Sequence, residues 1–98
     1  MSVDFTAVYT GLVELCEKYG VVELAVFGSV ARGEDEEGSD IDLLHVLKPG
    51  SDIGIEFFGF QEELEELLGR KVDVVSKEGL HWVIRDQVLN DAQVLYAA

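Results

Sequence analysis

The stretch GSVARGEDEEGSDIDLL, residues 28–44, sets Gly28-Ser29 a short way ahead of Asp40-Ile41-Asp42. Two carboxylates two residues apart in a strand point to the same face, with Cα atoms roughly 6.6 Å apart. So spaced, they share one hard cation or bracket a pair of ions about 3.5–4 Å apart. Ile41 and Leu43 point the other way and anchor the strand in a core. A third acid, Asp73, lies between Val72 and Val74 in KVDVVS, and an acid in an apolar strand is costly to bury without a partner. If that strand runs beside the one carrying Asp40 and Asp42, three carboxylates crowd together, and a divalent metal removes their repulsion. Gly28-Ser29 lies where a strand gives way to a helical turn. Such a junction offers backbone N–H groups to an anion, glycine lets phosphate approach the main chain, and the serine hydroxyl adds a donor. Arg32, one turn on, either reaches phosphate or pairs with Glu34 or Asp35. A phosphate cradle facing a metal cluster is what phosphoryl and nucleotidyl transfer need. In that chemistry Asp73 either holds a second metal ion or accepts the proton of an attacking hydroxyl.

The elements that must position these groups follow from patterning. Phe5, Val8, Leu12, Leu15, Cys16 and Tyr19 share one helical face over residues 5–19, with Asp4 as N-cap and Gly20 as stop. A strand is expected from Val22 to Phe27, then a helical turn from Ser29 closed by Gly33, an acidic loop EDEEGS, and a strand in DIDLLHVLK ended by Pro49-Gly50. A second helix is expected from Ser51 or Asp52, or from nearer Phe57, to Leu68, with Phe57, Phe60, Leu64, Leu67 and Leu68 buried and Glu62, Glu63, Glu65 and Glu66 largely facing water. Gly69 caps it, with Arg70 and Lys71 just beyond. KVDVVS is a third strand. KEGLHWVIRDQVLNDA reads as a third helix with Leu80, Val83, Ile84, Val88 and Leu89 inward, and QVLYAA as a short strand or tail. Trp82 belongs either to the core or to a partner interface, the core being the default for a large aromatic. The order predicts one α+β domain over residues 1–98, with a small mixed β-sheet and flanking helices.

Twenty acids against seven bases give a formal charge of −13. A polyanion binds proteins by having its phosphates neutralised by Lys and Arg, so direct nucleic acid binding is not expected; a small anion held by metal, or a cationic partner protein, fits better. No apolar run approaches the ~20 residues of a bilayer span, and the N-terminus has no cationic leader, so neither membrane insertion nor export is expected. The single Cys16 forms no internal disulfide, which fits a reducing cytoplasm. Beside Leu12 and Leu15 it reads as a small buried apolar residue. His45 and His81 have no Cys or His partner at metal spacing and read as structural or exposed.

GS, ten intervening residues, then DID resembles the signature of the DNA polymerase β-like nucleotidyltransferase superfamily. More narrowly, FGSVARGEDEEGSDIDLL is similar to the minimal nucleotidyltransferases, or MNT domains, and the likeness continues through LEELLGRKVDVVS and IRDQVLNDAQVLY. The resemblance implies the fold of that superfamily and a two-metal Mg²⁺ mechanism with a nucleoside triphosphate. Asp40, Asp42 and Asp73 would hold the metals and carry catalysis, while Gly28 and Ser29 would contact the triphosphate. It also implies an antitoxin that moves AMP from ATP to a tyrosine of a partner HEPN-domain toxin. The small size supports one part of this independently: little chain remains to build an acceptor site, so a partner supplies it. Two other readings compete. One is a non-catalytic antitoxin that neutralises a cationic toxin by binding; the other is nucleotidyl transfer to a small-molecule hydroxyl.

Overall fold

The computed structural model describes residues 4–34, 39–50 and 58–98. Helix α1 (Tyr9–Tyr19) leads into β1 (Val21–Phe27), the short α2 (Gly28–Arg32), β2 (Ile41–Leu47), α3 (Phe58–Leu68), β3 (Val72–Ser76), α4 (Trp82–Asp91) and β4 (Gln93–Ala97). The strands form one sheet in the order β3-β2-β1-β4. β1 runs antiparallel to both β2 and β4, whereas β2 and β3 are parallel. The expected α+β architecture with a small mixed sheet is therefore the observed one. No helix among the described residues is long and apolar enough to cross a membrane.

Alternation along β2 separates two faces. Ile41 and Leu43 join Leu12, Cys16, Leu24, Val26, Phe60, Leu64 and Val72 in the main core beneath α1 and α3. Burial of a full Leu or Phe side chain stabilises by roughly 1.5–3 kcal/mol, so this face carries most of the fold's cohesion. Leu44 faces the opposite way, where a smaller cluster joins it to Ala25 and Val88, with Phe27, Val75, Leu80 and Leu89 packed around. Cys16 lies fully inside the main core, and burial pushes its thiol up to about 12, with Glu17 adding to the shift. It behaves as a small apolar residue, as expected.

Several boundaries differ from expectation. α1 begins at Tyr9 rather than Phe5, because Asp4 caps an upstream turn: its Oδ1 accepts from Thr6 N at 3.1 Å and Ala7 N at 3.3 Å. The expected start of the second helix at residues 51–57, Phe57 included, lies outside the described residues; α3 is described from Phe58. Glu63 and Glu65 do not simply face water. Glu63 pairs with Lys18 at 3.0 Å and accepts from the Tyr19 hydroxyl, while Glu65 Oε2 accepts from Val72 N at 2.9 Å. On α4, Val88 is buried, but Val83 and Ile84 are 61 % and 47 % exposed, against the inward placement expected of them, and Trp82, 79 % exposed, is not in the core. α4 lies across the open face and only one side of its C-terminal half reaches the sheet. His81 has a local role: its Nδ1 accepts from Val83 N at 3.2 Å and caps α4. His45 is buried on the main-core side of β2, where burial lowers its pKa against an opposing hydrogen bond with the Val75 backbone.

Candidate active site

Asp42 is the second residue of β2, and its Cα neighbours are Phe27 on β1 and Asp73 on β3. The parallel register sets Asp42 and Asp73 side by side on the face of Leu44 and Val75, the one α4 only partly covers. The condition placed on the third acid from sequence is thus met: its strand is the immediate neighbour. Asp73 is exposed on an edge strand, whereas Asp42 is half-buried. Asp40 precedes the strand by one residue and is exposed, not part of β2 as the pattern suggested. Ser39 and Asp40 are held in place from the other side of the chain. Arg70 Nε donates to Ser39 O at 3.0 Å, and Ile41 N donates to Lys71 O at 2.9 Å. Arg70, just beyond the end of α3, thus fixes the approach to the acids through its hydrogen bonds to the Ser39 carbonyl.

Burial pushes the Asp42 pKa above the ordinary carboxylate value, and the charges of Asp73 and Asp40 push it further; Arg32 opposes them. Two carboxylates and one guanidinium therefore act on the Asp42 carboxyl. A carboxyl group held in a field of like charge favours either a proton or a cation beside it. Among the described residues, no group of three or more His, Cys, Asp or Glu side chains is set to hold a metal ion. Mg²⁺ is usually held by one or two carboxylates together with substrate phosphates and water rather than by an all-protein cage. Neighbouring Asp42 and Asp73, with the charge of Asp40 close by, fit that mode of binding.

Gly28 opens α2 directly after β1, with φ of +74°. A Cβ placed there would stand 2.6 Å from Asp42 Oδ2, so the bare glycine backbone lies against the carboxylate. Both the positive φ and this approach require glycine. Ser29, half-buried, follows, and its carbonyl accepts from Glu34 N at 2.9 Å as Gly33 closes the turn with φ of +71°. The strand–glycine–turn geometry expected from GSVARG is the one observed. Arg32 forms ion pairs through Nε with Glu34 at 3.1 Å and through Nη1 with Asp91 at 2.6 Å. The Glu34 pairing was one of the two roles weighed for it; Asp91, 59 residues away, was not foreseen. Gln93 Nε2 also donates to Ala31 O at 2.8 Å. No spacing rule connects such distant residues. Of the acidic loop expected over EDEEGS, residues 35–38 lie outside the described residues.

A model of the nucleotidyltransferase domain matches residues 10–95. The protein adenylyltransferase MntA of Thermococcus cleftensis is 42% identical over 78 residues, covering 80% of this chain and 78% of its own. A candidate minimal nucleotidyltransferase of known structure is 42% identical, with a TM-score of 0.76 over 90% of this chain and 89% of that one. A chain in the complex of a tri-AMPylated Shewanella oneidensis HEPN toxin with an MNT antitoxin shares the fold. Its TM-score is 0.68 at 18% identity, over 97% of this chain and 74% of that one.

Proposed function

Because the chain belongs to the nucleotidyltransferase domain family, we propose that it is a Mg²⁺-dependent protein adenylyltransferase. It moves AMP from ATP to a hydroxyl of a HEPN-domain toxin, a tyrosine's, and so acts as a cytoplasmic antitoxin. The observation that carries this reading is the meeting of Gly28, Asp42 and Asp73 on the sparsely covered sheet face, with the glycine backbone against the Asp42 carboxylate. The likeness to a protein named as an adenylyltransferase supports the reaction. The partner is supported by the shared fold with a chain from a HEPN–MNT complex.

In this reading the backbone of Gly28 and the Ser29 hydroxyl receive the triphosphate, with Arg32 at the other end of the turn. Asp42, Asp73 and Asp40 would hold the Mg²⁺ ions. When bound, the metal supplies positive charge for the phosphate oxygens and the pyrophosphate leaving group. The acceptor oxygen forms a bond to the α-phosphorus as the bond from that phosphorus to the α,β-bridging oxygen breaks, releasing pyrophosphate. The hydroxyl proton passes to a carboxylate, and Asp73 is suited to take it, standing exposed on the edge strand where a partner's side chain has access.

The test is transfer of label from ATP to the HEPN partner in the presence of Mg²⁺. Labelled partner is expected, with the label on tyrosine; an ATP-binding protein that leaves the partner unlabelled overturns the proposal. The binding-only reading draws on the −13 charge and on the exposed apolar residues at the start of α4. Neutralisation that survives replacement of both Asp40 and Asp42 by Asn decides for it.

A further inference from the structure

Asp91 ends α4, a place where its own helix disfavours it: the carbonyl end of a helix carries partial negative charge and repels a carboxylate. Its explanation lies across the fold. Asp91 Oδ2 accepts from Arg32 Nη1 at 2.6 Å, and two residues on, Gln93 Nε2 donates to Ala31 O at 2.8 Å. The α4–β4 junction therefore grips the last turn of α2 twice, once by charge and once by an amide. α2 is a single five-residue turn, too short to hold its direction alone. Val30 seats the middle of α2 in the main core, while Arg32 and the Ala31 carbonyl at its last turn are tied to α4 and β4 by these two contacts.

We propose that Asp91 and Gln93 are positioning residues that hold α2, and with it Arg32 and the Gly28-Ser29 backbone, in register with Asp42 for nucleotide binding. The inference rests on the nucleotide reading of Gly28-Ser29. Stability is not the purpose of the contact. Arg32 is 42% exposed in this ion pair, and exposed pairs of that kind contribute little to stability. A misplacement of the cradle by an ångström is far costlier to a bound triphosphate than the pair is to the fold.

The experiment measures binding of Mg²⁺–ATP to the full chain by calorimetry, alongside its thermal unfolding. Asp91→Ala is expected to weaken binding by about tenfold and raise the KM for ATP more than it lowers kcat, with little change in melting temperature. Asp91→Glu restores much of the loss. Because Asp91 acts through Arg32, the Arg32→Ala/Asp91→Ala double variant should bind no more weakly than Arg32→Ala alone. Gln93→Ala weakens binding in the same direction by less. Equal or tighter binding by Asp91→Ala, or full additivity in the double variant, overturns the proposal. If Asp91→Ala does not fold, the isosteric Asp91→Asn carries the same test. Gly28→Ala separates this inference from the reading beneath it. Loss of binding in Gly28→Ala with none in Asp91→Ala refutes the positioning role alone. Parent-like binding by both variants refutes the cradle as well.

Discussion

The two faces of the sheet are built to different standards. Under α1 and α3, Leu12, Leu24, Ile41, Leu43, Phe60 and Leu64 are completely enclosed. On the other face the buried cluster is Ala25, Leu44 and Val88, and acids stand near the starts of β2 and β3. One face spends its side chains on cohesion, and the other keeps carboxylates, glycine backbone and solvent access together. The physical reason is that charged groups are tolerable where water, metal or phosphate can meet them and ruinous inside a packed layer. β2 serves both faces at once, because Ile41 and Leu43 anchor it on one side while Asp42 projects from the other.

The comparison can be broken first on its closed side. Phe60→Ala is expected to destabilise the fold by about 3–5 kcal/mol, read by chemical denaturation. Leu44→Ala, on the open face, should fall near the lower end of the Leu→Ala range, about 2 kcal/mol, since the sparser packing there relaxes more easily. Equal losses at the two positions would remove the distinction between the faces.

On the open side the largest effect is on transfer. Asp42→Asn should lower adenylylation by at least about a hundredfold, measured by label transfer, with no loss of the metal-free fold. Its stability should in fact rise above acid pH. The Asp42 pKa is raised in the folded protein, by burial first and by Asp73 and Asp40 next. The native state therefore holds its proton more tightly than the unfolded chain. Stability then falls as pH climbs from the ordinary aspartate pKa through the raised one. The Asn variant lacks that loss, so the gap in melting temperature between variant and parent should open over that window and vanish below it.

Gly28→Ala tests the junction between the faces. The added methyl meets Asp42 Oδ2 and the residue must keep a φ of +74°, so about a tenfold loss of ATP affinity is expected, together with about 1–2 kcal/mol of stability. The smallest effect is at the start of α4. Trp82→Ser should change stability of the isolated chain by no more than about 0.5 kcal/mol, because the ring is mostly in solvent. A marked weakening of binding to the proposed HEPN partner in the same variant would sharpen the comparison, assigning that apolar strip to docking.

Much of this was legible in the residues alone. Period-two alternation in IDLL and VDVV places the acids opposite the apolar anchors, and the helical stripe from Leu12 to Tyr19 finds the closed face. The pattern misled at α4. Val83 and Ile84 fall at helical spacing with Leu80 and Val88, yet spacing says only that a stripe exists, not that a layer is there to receive all of it. The grip of Asp91 and Gln93 on α2, and of Arg70 on Ser39, left no local signal either.

What the sequence by itself determined is the set of candidate site groups and much of their local geometry: a glycine turn after a strand, two acids bracketing a core residue, and a third between valines. Those follow from steric limits on backbone and from the period of a strand, which act over a few residues. Tertiary structure decided which strand lies beside β2 and that Asp73 stands level with Asp42 rather than one residue out of register. It also decided which distant side chains hold the loops that carry the site. Such choices rest on packing and pairing between segments tens of residues apart, and those forces operate only once the whole sheet has assembled.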